Sequence, residues 1–163
     1  MENEQFIKKE LGEISDFSEK NKIADGIYSD IYVRNNDPVK KLEDYKIAYA
    51  EMDKILSGIS IKHEKVTTGY SSYVEACKNT TGYSLNEIKI FISYNDENYI
   101  THIWFDFYLE KLSIAEDLYR ILEIITDTYD LIFVDWAWGF YSHVRQDGEL
   151  KNKLIEISKN LAE

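Results

Sequence analysis

The stretch Asn86–Leu109, NEIKIFISYNDENYITHIWFDFYL, decides the fold. Ile88, Ile90, Ile92 and Tyr94 alternate with polar or less apolar residues, the two-residue period of a strand. Asn95-Asp96-Glu97-Asn98 supplies turn residues. Tyr99, Thr101, Ile103, Phe105, Phe107 and Leu109 then share one face of a returning strand. The reading is an antiparallel hairpin. Its other face carries Ile100, His102, Trp104, Asp106 and Tyr108. Left open to solvent, that row of rings around a carboxylate is a binding platform, because aromatic anchors carry much of an interface's energy. Covered by a second layer, Trp104 becomes core and Asp106 must find a donor.

Outward from the hairpin toward the C-terminus, a helix is expected from about Ser113, with Ser113 as its cap. Ile114, Leu118, Ile121, Leu122 and Ile125 form its apolar stripe. Glu116, Arg120, Glu123 and Asp127 recur on the opposite side. They read as an acidic ridge for a basic partner, or as a solvated face laced with weak pairs. Leu131–Trp136 reads as a buried strand, which makes strand, helix and strand a right-handed crossover with parallel outer strands. Residues 137–146 read as a loop. A last helix spans 148–161, with Leu150, Leu154, Ile157 and Leu161 inward.

Toward the N-terminus, residues 4–20 read as a helix through Ile7, Leu11, Ile14 and Phe17, weakened by Gly12. Residues 27–34 alternate as a strand, ending at Arg34. Asp37-Pro38 starts a helix: Asp37 caps, and the chain's one proline takes the first turn, where its missing N–H is harmless. Leu42, Tyr45, Tyr49, Met52 and Leu56 continue it to about Ser57, and Gly58 stops it. Residues 59–66 form a strand with Ile59, Ile61 and His63 on one face. Residues 67–84 fit a strand, a short helix near Val74–Lys78, or a loop. The expected whole is one α+β domain over residues 1–163, with a mixed, mostly antiparallel sheet of five or six strands and helices packed on it.

Composition bounds the function. A chain of 163 residues can bury roughly 70% of its unfolded surface without disulfides or metal. No run approaches the ~18 apolar residues of a membrane span. The single cysteine, Cys77, forbids an intrachain disulfide, and residues 1–10 lack an apolar leader core, so a reducing cytoplasm is expected. Asn79-Thr80-Thr81 matches a glycosylation acceptor only by chance in such a compartment. A net charge of −11, with only Arg34, Arg120 and Arg145 as arginines, argues against nucleic acid and against an anionic membrane surface.

No catalytic or cofactor motif is present. There is no phosphate-binding glycine loop, dinucleotide fingerprint or nucleophile elbow. His63, His102 and His143 are far apart and lack zinc-ligand spacing. Cys77 reads as a structural thiol. The enzymatic alternative places Asp135, Tyr141 and His143 in the loop after the late strand, with Asp135 orienting His143 for acid–base work. The plainer account of that segment is Trp136 and Trp138 packing from one strand face.

What stands out is charge. From Asp96 to Asp135, ten acidic side chains face two basic ones, Lys111 and Arg120, among eight large aromatic residues. With the segment Tyr129–Trp138, YDLIFVDWAW, this acidic window gives the chain a general character that resembles bacterial immunity proteins of polymorphic or contact-dependent growth-inhibition systems. The resemblance implies a cytoplasmic binding protein that neutralises a toxin. A basic nuclease is the toxin expected, because carboxylates can then occupy the places meant for phosphates. On the charge pattern, the partner-contacting residues are expected to be Trp104, Asp106, Tyr108, Glu110, Glu116, Glu123 and Asp127. A phage-encoded decoy of a host nucleic-acid enzyme would use the same surface.

Overall fold

The computed structural model describes residues 2–33, 37–38, 40–70, 73–145 and 148–162. In chain order these form α1 (Glu2–Asn21), β1 (Lys22–Ala24), β2 (Ile27–Tyr28), a 3-10 helix (Leu42–Tyr45) and α2 (Tyr49–Ser57). Then come β3 (Ile61–His63), β4 (Thr67–Tyr70), β5 (Tyr73–Ala76), β6 (Thr80–Leu85), β7 (Ile88–Tyr94) and β8 (Ile100–Asp106). The chain closes with α3 (Leu112–Thr128), β9 (Ile132–Asp135), β10 (Phe140–His143) and α4 (Leu150–Leu161). The architecture is α+β. The backbone gathers into two compact units, Met1–Lys41 with Ile132–Ser142, and Leu42–Leu131 with His143–Glu163.

The larger unit is built on a four-stranded sheet in the order β3-β6-β7-β8. Each neighbouring pair is antiparallel. The hairpin read from the sequence forms its β7–β8 side: Ile90 pairs with Phe105, Phe91 with Trp104 and Ile92 with Ile103. Asn95 shapes the turn by accepting the backbone N–H groups of Glu97 and Tyr99 on its side-chain oxygen. Ile88, Ile90 and Ile92 point to the inner face and are fully buried. Burying each such side chain contributes about 1.5–3 kcal/mol. α2 covers this inner face, with Tyr49 hydrogen-bonded to Thr81 and Asp53 to Tyr83, both of β6. The α3 stripe, Ile114, Leu118, Ile121, Leu122 and Ile125, is buried as its spacing demands, and α4 packs beside it.

Several expectations change. The helix expected over 37–57 is broken. Only the 3-10 helix and α2 form, because Lys46 adopts a left-handed conformation (φ 52°) and Ala48 bridges to Tyr99 as a strand would. Asp37 pairs with Lys41 instead of capping, at 2.9 Å. Gly58 does end α2, but in right-handed geometry, donating its N–H back to Ile55. α3 starts one residue before Ser113, and no side chain caps it. The strand at 59–66 shrinks to three exposed residues. Residues 67–84 resolve into the β4–β5 hairpin and β6. Leu161 is exposed.

In the smaller unit, α1 carries Glu4–Lys8 and Lys9–Glu13 pairs one turn apart. The strand expected over 27–34 reduces to β2, paired with β1 around Gly26 (φ 71°). Beyond it Ile31 and Val33 are exposed, and Arg34 lies outside the described residues. Tyr32 returns to α1, its ring edge-on to Phe17 and its hydroxyl donating to Glu13 at 3.1 Å. β9 pairs with β10 rather than with the large sheet, so the parallel crossover does not form. The expected 137–146 loop therefore contains a strand. Phe133 and Phe140 are buried across this pair, ring centroids 6.1 Å apart.

Candidate functional site

The outer face of the four-stranded sheet emerges from β8 and its partner. Lys89, Phe91 and Ser93 on β7 stand opposite Asp106, Trp104 and His102 on β8. These are the side chains that alternate away from the buried isoleucines. Ile100 is the exception to the even-numbered row. The register jumps from Ser93↔His102 to Tyr94↔Ile100, leaving Thr101 without a partner. That irregularity turns Ile100 to the inner face, where it is fully buried, while His102, Trp104 and Asp106 stay outside.

Trp104 and Phe91 are stacked, with centroids 5.3 Å apart and planes 21° from parallel. Trp104 remains 40% exposed, so the open-face reading of the row holds for it. Asp106 forms an ion pair with Lys89 at 3.3 Å, and its side chain is half exposed. Further across the same face, Phe91 neighbours Gly82 of β6, and Gly82 neighbours His63 of β3. A Cβ on Gly82 would meet Val66 at 3.2 Å, so the absent side chain makes room for Val66 beside Phe91. His63 is hydrogen-bonded to Ser84 at 2.8 Å, and Ile61 is exposed at the far strand.

The free side of β8 is flanked by the 3-10 helix, whose first turn carries Glu43 and Asp44. Just after this helix, the Ile100 N–H donates to the Ile47 carbonyl at 2.9 Å. Neither the acids of this helix nor Phe91 and His63 was singled out from the sequence. Phe91 was findable, since pairing the two strands of the hairpin puts it opposite Trp104. Glu43 and Asp44 were hidden inside a stretch whose spacing mimicked one long helix.

The seven expected contact residues fall on two surfaces. Trp104 and Asp106 lie on the open sheet face. Tyr108, 73% exposed, and exposed Glu110 follow in the link to α3. Glu116, Glu123 and Asp127 are exposed along α3, opposite its buried stripe. Arg120 makes no ion pair with Glu116 or Glu123 among the described residues, and Asp127 meets Arg145 at 3.4 Å. Burial, then the Glu123 carboxylate, raises the Tyr119 hydroxyl above its ordinary value. These acids lie along the helical surface and not in the ring row.

A second polar cluster is structural. Asp53 accepts Tyr83 at 2.6 Å, Lys62 at 2.9 Å and Ser57 at 3.2 Å. Partial burial opposes ionisation of Asp53, but the Tyr83 and Lys62 hydrogen bonds outweigh it and hold the carboxyl below its usual range. Burial first, then Asp53, drives the Tyr83 hydroxyl far upward.

The residues of the enzymatic alternative carry structural bonds of their own. Asp135 is buried and accepts the Trp138 backbone N–H at 2.9 Å, shaping the turn. Trp136 and Trp138 sit in that turn and not on a strand, and Trp138 is exposed. The Tyr141 hydroxyl donates to Glu4 at 2.8 Å. His143 ends β10 and is half-buried. Among the described residues, no group of three or more His, Cys, Asp or Glu side chains is arranged to hold a metal ion. No helix among them is long and apolar enough to cross a membrane. No protein-family model matches the chain, and no curated protein or solved structure is significantly similar to it.

Proposed function

We propose that this chain is a binding protein that neutralises a basic partner, in the manner of an immunity protein against a nuclease toxin. The observation that carries the reading is the half-exposed Trp104 stacked on Phe91, with Asp106 on the same outer face of the sheet. A large ring at the centre of a contact excludes water, and carboxylates around it select a positively charged partner. The net charge of −11 adds long-range attraction. The ridge of Glu116, Glu123 and Asp127 takes the separate role of steering. Charges outside the contact raise the rate of encounter more than the strength of the complex.

Growth rescue tests this directly. Each basic nuclease encoded beside the chain's gene in its native genome is expressed alone and together with the chain. Protection by the wild-type chain, lost with Trp104→Ala, is the expected result. Protection that survives Trp104→Ala and Asp106→Asn together would remove the sheet face from the account. Association of the purified pair should also slow steeply as salt rises, and a flat response would remove steering.

A further inference from the structure

Among the described residues Trp104 has one ring neighbour, Phe91, on the β7 side. Among the described residues β8 is the last strand of the sheet, with only the Ala48–Tyr99 bridge and the Ile100–Ile47 bond beyond its start. The 3-10 helix that flanks this edge brings Glu43 and Asp44. Asp106 lies two residues along the same face, about 7 Å away at the rise of a strand. β8 and its link to α3, residues 100–110, carry no lysine or arginine, while Asp106 and Glu110 are exposed along them; the cation on this face is Lys89 of β7, paired with Asp106. An exposed ring face, a carboxylate within reach and an acidic surround together specify a cation with a flat, apolar face.

We propose that this face is a receptor for an arginine side chain of the basic partner, with the guanidinium lying on Trp104 and hydrogen-bonded to Asp106. The proposal rests on the binding role argued above and names its anchor. Guanidinium is planar, stacks on aromatic rings and can bond both oxygens of one carboxylate. Lysine offers only a point charge, and Asp106 already has one in Lys89, held through a single oxygen at 3.3 Å. A second ammonium would replace like with like. An arginine gains the stacking and a second hydrogen bond, and the half-exposed ion pair it displaces, open to solvent, holds Asp106 only weakly.

The probes are capped hexa-arginine and hexa-lysine peptides, added to the 15N-labelled full chain. The indole N–H signals of Trp104, Trp136 and Trp138 report the site, with Trp104 assigned by its loss in Trp104→Phe. Hexa-arginine should shift the Trp104 signal and bind at least about tenfold more tightly than hexa-lysine, a difference of about 1.4 kcal/mol. Asp106→Asn, a change at a half-exposed position, should abolish that preference. The Glu123→Gln/Asp127→Asn variant should keep it. Equal response to the two peptides would overturn the proposal, as would a shift confined to Trp138 or a preference unchanged in Asp106→Asn. Growth rescue is read separately: a chain that protects cells but shows no arginine preference loses this anchor and keeps its neutralising role.

Discussion

The Tyr83 hydroxyl donates to the Asp53 carboxylate across 2.6 Å, tying the strand beside the β7–β8 hairpin to the helix above it. Lys62 reaches the same carboxylate from the edge strand, so one acid joins three elements. Tyr83→Phe leaves that acid one donor short in a partly buried place. The expected loss is about 1–3 kcal/mol. It should appear as a lower urea midpoint with an unchanged slope, and an unmoved midpoint would mean the bond contributes nothing.

Asp53 also makes stability depend on pH. Its carboxyl titrates lower in the folded protein than in the unfolded chain. Its contribution is therefore complete above the ordinary carboxylate value, about 4, and fades as the pH falls through its own lower value. Asp53→Asn should be less stable than wild type at neutral pH. The gap should close under acid conditions, and a gap that stays constant in thermal melts between pH 7 and pH 2.5 would contradict this.

Tyr129 acts at the alkaline end. Its hydroxyl donates to Glu51 at 2.7 Å, and burial followed by that carboxylate pushes its pKa up to about 12. A raised folded value gives stability that is whole below about pH 10 and lost as the pH rises through about 12. Difference titration near 295 nm, wild type minus Tyr129→Phe, should show a tyrosinate appearing with that late midpoint. A midpoint near 10 would place the hydroxyl in free solvent.

Gly69 is fixed by sterics. Its φ of +137° suits no L side chain, and a Cβ there would lie 2.0 Å from the Tyr73 carbonyl oxygen. Gly69→Ala should open the β4–β5 hairpin and leave the large sheet intact. Cross-strand proton contacts between Thr68 and Glu75 should vanish in NMR spectra, while those between Ile92 and Ile103 persist. Survival of both sets would refute the assignment.

The β7–β8 hairpin and α3 were legible because each has one buried face and one wet face, which prints a period on the sequence. The helix expected over 37–57 failed for a physical reason. Leu42, Tyr45, Tyr49, Met52 and Leu56 keep helical spacing, yet left-handed Lys46 and the Ala48–Tyr99 bridge interrupt the backbone between them. Tertiary pairing overrode local preference there. Thr67–Ala76 gave no period because its strands, where described, are exposed on both faces. At the site, Trp104 and Asp106 were readable from alternation alone. The separation of Glu116, Glu123 and Asp127 from them was not, since charge along a chain says nothing about which layer each segment joins.

The unpaired step at Thr101 decouples the two ends of one strand. Keeping strict alternation past that point would force a choice between wetting an isoleucine and swallowing an indole. With the extra residue absorbed there, the isoleucine stays dry and the indole stays wet on one continuous strand. The outward positions after it are thereby uncoupled from the buried end of the same strand.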